Sequence, residues 1–308
     1  MEGLQQTVLG VGTTTVERFR ATPTQRGFGA LSAMSPAAGN EVVAIDLEGP
    51  LDVDRLGRIL DRLEGGLDAW RTRFVEEHGA LFGVIEPPVG ARLRVERVTA
   101  DRRVARAEAL ARVPFDLAEG RLVRATLLQT DDERATLVLV AHHAVMDGSA
   151  LFVLLPRALG ALYRSEAIDL EGFAPWAARE ADAYDGEAGE RARGFWRESL
   201  RDAPGSLALP TDHPRSGTRS LRGRRISREA GVTREALEAA GRPVDVAIAA
   251  LATALHRMAA ADEVTVGVTH ANRRAPGAER VVGCLVRTLP VRVSPGDAAS
   301  FSGLVSQV

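Results

Sequence analysis

A single cysteine, Cys284, and no lysine at all stand among the 308 residues, so that every one of the 39 basic residues is arginine. One thiol can neither close an internal disulfide nor build a cysteine-based zinc site. Its isolation fits a reducing, cytoplasmic compartment. The arginine bias reads as high-GC coding and carries no functional weight. Neither sign of charge prevails: 39 basic residues face 41 acidic ones, for a net charge of −2. That balance excludes a global field directed at nucleic acid or at an anionic membrane. No apolar run approaches the length that spans a bilayer. The N-terminus, MEGLQQTVLGVGTTTVERF, lacks the basic and apolar regions of a secretory leader. No internal repeat is visible, which excludes solenoids and propellers. A monomer without a nucleic-acid or membrane partner is expected.

The rest of the composition is that of an ordinary globular protein, 45% hydrophobic and 26% charged. The length suggests two domains with sizeable cores. Residues 41–48 read as a strand. Leu56, Ile59, Leu60 and Leu63 then recur at helical spacing up to a Gly-Gly stop. Strands are expected at 82–86 and 92–98, and a helix at 101–112 with Asp101 near its start. Two strands, 122–129 and 135–141, flank the polar turn TDDER. After Gly148 a helix carrying Leu151, Phe152, Leu154, Leu155, Leu159 and Leu162 is apolar over a wide arc and should be buried, with Pro156 near its first turn or bending it.

Residues 164–190 are charged and read as a linker followed by an exposed helix. The boundary falls near residue 167, giving domains 1–167 and 168–308. Residues 190–200 are helical, and 203–224 form a Pro/Gly/Ser-rich connection. A helix from Pro243 should turn Val244, Ile248, Leu251, Leu255 and Met258 to one side. An alternating strand EVTVGVT, a strand–turn–strand over 281–293 and the start of a last helix follow.

The chemistry concentrates in LVLVAHHAVMDGSALFVLL, where His142 and His143 end a strand and Asp147-Gly148 precede a helix. Strand ends in α/β proteins present reactive side chains. A histidine there can take or give a proton near neutral pH. Asp147 can orient an imidazole or pair with a distant arginine, and Gly148 leaves room for a substrate chain to pass the backbone. Three plainer readings stand beside this one. The histidines can be ordinary half-buried residues. His143 and Asp147 can be two metal ligands, although His78, His213, His256 and His270 form no ligand pair in the sequence. Asp147 can also cap the helix that follows. Cys284, in an apolar stretch, reads as buried and structural rather than nucleophilic.

His142-His143-Ala144-Val145-Met146-Asp147-Gly148 resembles the HHxxxDG signature of the condensation-domain superfamily of nonribosomal peptide synthetases. Collinear segments extend the resemblance over nearly the whole chain. Thr22-Pro23-Thr24-Gln25 resembles S-P-x-Q, and Trp70-Arg71-Thr72-Arg73-Phe74 resembles L-R-T-R-F. Pro114-Phe115-Asp116-Leu117 leads into a P-F-D-L-x-x-G-x-L-x-R-A stretch. Phe195-Trp196 with Leu209-Pro210-Thr211-Asp212, Gly267 with Asn272-Arg273, and Val282-Gly283 with Thr288-Leu289-Pro290-Val291-Arg292 complete the set.

The resemblance implies an α/β fold of two chloramphenicol acetyltransferase-like subdomains in a V arrangement, with a tunnel between them. It implies that the second subdomain is incomplete, the chain being a fragment or a truncated product. The implied activity is an acyltransfer that forms an amide, or an ester, between a carrier-bound acyl or peptidyl thioester and a carrier-bound aminoacyl acceptor. His143 is then catalytic, with His142, Asp147 and Gly148 supporting it. Arg273 is the implied salt-bridge partner of Asp147, and Ser149 and Arg287 are tunnel candidates. Arg287 stands where the family often has asparagine. No metal and no cofactor held by the chain is implied: substrates ride on the phosphopantetheine arms of donor and acceptor carrier proteins, and neighbouring synthetase domains are the other partners. A free-standing O- or N-acyltransferase of the same superfamily and a non-catalytic recruitment module are the rival readings.

Overall fold

The computed structural model describes residues 17–203, 205–214, 223 and 226–308. The residues read as lacking a leader, up to residue 16, and much of the expected 203–224 connection lie outside the described residues. The chain divides into two compact units. The first runs to Ala188 and regains Ala271–Arg287; the second comprises Gly189–His270 and Thr288–Val308. The boundary expected near residue 167 falls within the first unit.

The first unit opens with β1 (Arg18–Arg20) and α1 (Pro23–Met34), then β2 (Asn40–Glu48) and α2 (Val53–Gly66). Asp52 caps α2 by accepting the Arg55 N–H at 2.8 Å, and Leu56, Ile59, Leu60 and Leu63 are all buried. A short α3 (Asp68–Arg71) leads into β3 (Thr72–Glu77) and β4 (Ala80–Ile85), which pair with β1 in a sheet ordered β1-β4-β3. Next come β5 (Arg94–Arg97), α4 (Arg103–Ala111), β6 (Val123–Gln129) and β7 (Arg134–His142). A second sheet runs β2-β7-β6-β5. In it β7 is antiparallel to both β2 and β6, while β5 is parallel to β6. The central strand β7 is buried from Ala135 to His142, the pattern of a strand covered on both faces.

After β7 the chain makes one π-helical turn, Ala150–Leu154, before α5 (Leu155–Tyr163). Pro156 sits in the first turn of α5. It has no N–H to donate, and its ring crowds the preceding turn, which a locally wider winding accommodates. The expected burial holds in part. Leu151, Leu155, Leu159 and Leu162 are buried, but Phe152 and Val153 are exposed because the π turn rotates them off the core-facing side.

The stretch expected to be a linker is instead fastened to this unit. Leu170 and Phe173 are buried in its core, and Glu171 bridges to Val281. Asp68 accepts the N–H groups of Phe173 and Ala174 at 2.6 and 2.8 Å, which starts α6 (Ala174–Asp185). Two large apolar side chains outweigh the acidic composition around them. Residues 281–286 form a loop rather than the first strand of a pair.

The second unit holds α7 (Glu187–Ser199, most of it), α8 (Arg234–Ala240), α9 (Pro243–Ala259), β8 (Val264–His270), β9 (Arg287–Val293) and α10 (Phe301–Gln307). Strands β8 and β9 pair. Its core is built on Val246, Ile248, Ala249 and Ala252 of α9, with Val264, Val293, Leu304 and Val305. The expected stripe holds only in part: Ile248 is buried and Leu255 packs against the core, but Val244, Leu251 and Met258 are exposed. Helix α9 is apolar nearly all round, and its alanine-rich side permits the closer approach.

Candidate active site

His142 is the last residue of β7, paired in register with Asn40. Its ring is fully buried. Nδ1 accepts the Ala144 N–H at 3.1 Å, so the proton of the neutral ring resides on Nε2. Nε2 then donates to Ser32 Oγ at 2.8 Å, and that hydroxyl donates to the Phe28 carbonyl at 2.9 Å. Burial, with a smaller contribution from His143 beside it, pushes the imidazole down to about 4. His142 is therefore a neutral strut. Gly39 permits this packing, because a Cβ there would lie 2.4 Å from His142 Nε2.

His143 differs in every respect. Its backbone N–H donates to the Gly39 carbonyl at 2.7 Å, continuing the line of β2. Its ring stacks on Phe28, centroids 4.2 Å apart and planes 18° from parallel. Nδ1 lies 3.9 Å from Cys284 Sγ, and Nε2 lies 3.8 Å from Glu41 Oε1. Neither distance makes a strong hydrogen bond. The side chain keeps 19% of its surface accessible. Phe28 thus serves both histidines: its carbonyl holds the serine that fixes His142, and its ring supports His143.

The loop between these histidines and α5 is braced on two sides. Gln25 donates from Nε2 to the Ala144 carbonyl at 2.9 Å, while its Oε1 accepts the Thr22 N–H in a capping box that starts α1. Asp147 Oδ1 accepts from Arg273 at 2.8 Å and from the Ala150 N–H at 2.9 Å; Oδ2 accepts from the Leu285 N–H at 2.9 Å. The structure therefore brings Asp147 and Arg273 together, and Asp147 caps the following helical turn as well. Arg273 also donates to the carbonyls of Ala278 and Val281, at 2.8 and 2.7 Å. Gly283 lies beneath the Phe173 ring, where a Cβ would approach to 2.2 Å.

Gly148 stands beside Phe152, whose ring would lie 3.3 Å from an added Cβ. Ser149 precedes the π turn, and its hydroxyl makes no capping bond. Arg287 forms an ion pair with Glu180 of α6. Cys284 is buried, and burial pushes its thiol well up, so it is a neutral S–H facing His143. Sequence reasoning missed Phe28, Ser32, Glu41 and Glu180, which approach from other elements. Only Glu41 left a trace, as a carboxylate at the strand parity of Val43, Ile45 and Leu47. Among the described residues no cluster of three or more potential ligands could hold a metal ion.

The family model named Condensation domain matches residues 17–308. The chain belongs to the condensation-domain family. It is 30% identical over 285 residues to malpinin synthetase of Mortierella alpina, covering 86% of this chain and 4% of that protein. It is 29% identical over 291 residues to a probable non-canonical nonribosomal peptide synthetase of Salinispora arenicola, covering 88% of this chain and 4% of that one. Among solved structures it is similar to the X-domain from teicoplanin biosynthesis in its complex with OxyB, with a TM-score of 0.80, 25% identity and coverage of 96% of this chain and 69% of that one. This condensation domain therefore spans a small part of the synthetases it matches. Its mixed α/β architecture is that of condensation domains.

Proposed function

We propose that this condensation domain catalyses amide-bond formation between a carrier-bound acyl or peptidyl thioester and a carrier-bound aminoacyl acceptor, with His143 as the catalytic residue. The observation that carries this reading is the contrast between the two histidines. His142 is locked neutral by bonds at both nitrogens, whereas His143 keeps Nε2 without a hydrogen bond, on a ring held by stacking. An α-amino group titrates near pH 8 (about 7.7–8.0), so an appreciable fraction is neutral at pH 7 and needs orientation more than a strong base. The amine nitrogen attacks the thioester carbonyl and the C–N bond forms. His143 Nε2 takes the proton released by that nitrogen. The C–S bond then breaks, and the proton passes to the departing sulfur of the donor arm. Donor and acceptor carrier proteins supply both phosphopantetheine arms as substrates, in the cytoplasm, alongside neighbouring synthetase domains. The reading is tested by mixing the protein with a loaded donor carrier and an aminoacyl acceptor carrier. Mass spectrometry should find the acyl group amide-linked on the acceptor arm.

A recruitment module without chemistry is the second reading. What favours it is the likeness to an X-domain described in complex with OxyB. Carrier binding without any turnover in the same assay supports recruitment.

A further inference from the structure

Strand β2 alternates cleanly after its start. Val43, Ile45 and Leu47 pack against the core of the first unit, while Val42 and Ala44 face away. Period two places Glu41 on the core-facing side. The Glu41 side chain is only part-buried there and keeps 35% of its surface accessible, so its carboxylate can be reached by an incoming group. Among the described residues no hydrogen bond reaches the Glu41 carboxylate. Its ionisable neighbour is His143, with Nε2 at 3.8 Å, beyond hydrogen-bond length. The carboxylate and the nitrogen assigned to the chemistry thus stand side by side, each with an unused acceptor position. They match a group that carries several N–H donors and a positive charge.

We propose that Glu41 is a specificity-determining residue that receives the protonated amine of the acceptor and so selects an amine over an alcohol. The inference rests on the acyl-transfer reading of the same site. An ammonium group directs one N–H to Glu41 and another to His143 Nε2. A hydroxyl has one donor: given to His143, it leaves oxygen lone pairs facing a carboxylate. The ammonium gives one proton through His143 to solvent, and the amine stays bonded to Glu41. Its lone pair then forms the C–N bond, the C–S bond breaks, and the second proton lost by nitrogen goes to sulfur. The products are an amide, a free thiol and one released proton.

The test is calorimetric binding of two unreactive acceptor analogues to the full chain: an aminoacyl-pantetheine amide and its α-hydroxy counterpart. The amine should bind about tenfold tighter or more, as charged hydrogen bonds do relative to neutral ones. Glu41→Gln should reduce the preference to within about twofold through loss of that charge, while Glu41→Asp retains part of it. Retained affinity for the hydroxy analogue shows that the variants remain folded. Equal binding of both analogues by the unaltered protein, binding of neither, or an undiminished preference in Glu41→Gln overturns the proposal. Because binding is read without turnover, failure of acyl transfer would overturn the catalytic reading separately.

Discussion

Adjacent in sequence, His142 and His143 are opposite in circumstance, and the difference has a measurable signature in stability. His142 is depressed from 6.5 in the unfolded chain to about 4 when folded. A depressed histidine favours the neutral form in the folded state, so between these values the unfolded chain binds the extra proton. Its contribution is fully present above pH 6.5 and is lost as the pH falls through 4, at about 1.4 kcal/mol per pH unit. Urea midpoints measured from pH 7 to 4 should fall accordingly, and His142→Asn should flatten the slope. An unchanged slope in that variant assigns the pH dependence elsewhere. Gly39→Ala should act on the same residue, since its methyl would collide with the imidazole, destabilising the protein by about 1–3 kcal/mol in urea unfolding. The histidine pair was legible in the sequence and the family resemblance implied its division of labour, but the physical basis of that division was not legible. That division depends on Ser32, Phe28 and Glu41, from α1 and β2, and no local spacing links these to residues 142 and 143.

At the scale of elements, the Asp147–Arg273 ion pair joins the loop after β7 to the segment 271–287. Asp147 is 2% exposed and Arg273 11%, so neither charge is well solvated. Removing one partner of such a pair leaves the other uncompensated, typically at about 3–5 kcal/mol. Arg273→Met should therefore destabilise the chain by roughly that amount. Adding Asp147→Asn should restore part of the loss, because the orphaned charge is then gone. A double variant no more stable than the single one would show that the arginine acts mainly through its bonds to Ala278 and Val281. The β6–β7 hairpin was readable from two mostly apolar runs around a polar turn. By contrast, β1, α1 and β3 announce themselves weakly. Strand β1 is very short, α1 contains Gly27 and Gly29, and β3 ends in two glutamates. Motif resemblance located Thr22–Gln25, but only the structure explains the glutamine, which closes a capping box and holds Ala144.

Across the whole molecule, the two units differ in how much they bury. The first holds a continuous core from Phe19 to Leu285, including all of Leu137–Ala141. The second packs around eight buried apolar side chains among the described residues. Local stability follows buried contact, so amides of α9, β8 and β9 should exchange with deuterium before those of β6 and β7. Equal protection would show a single cooperative unit. The motif residues at 142–148, together with Arg273 and Cys284, all belong to the better-buried unit. That placement suits the role proposed for His143, since reacting groups are best held rigidly. The central claim is that His143 performs acyl transfer while His142 only supports it. Single-turnover transfer from a donor carrier to an aminoacyl acceptor carrier tests it most directly, comparing the unaltered protein with His143→Ala. A loss of roughly 10²–10⁴-fold, with the urea midpoint unchanged, is the predicted result. Transfer at the unaltered rate by a folded His143→Ala protein would contradict it.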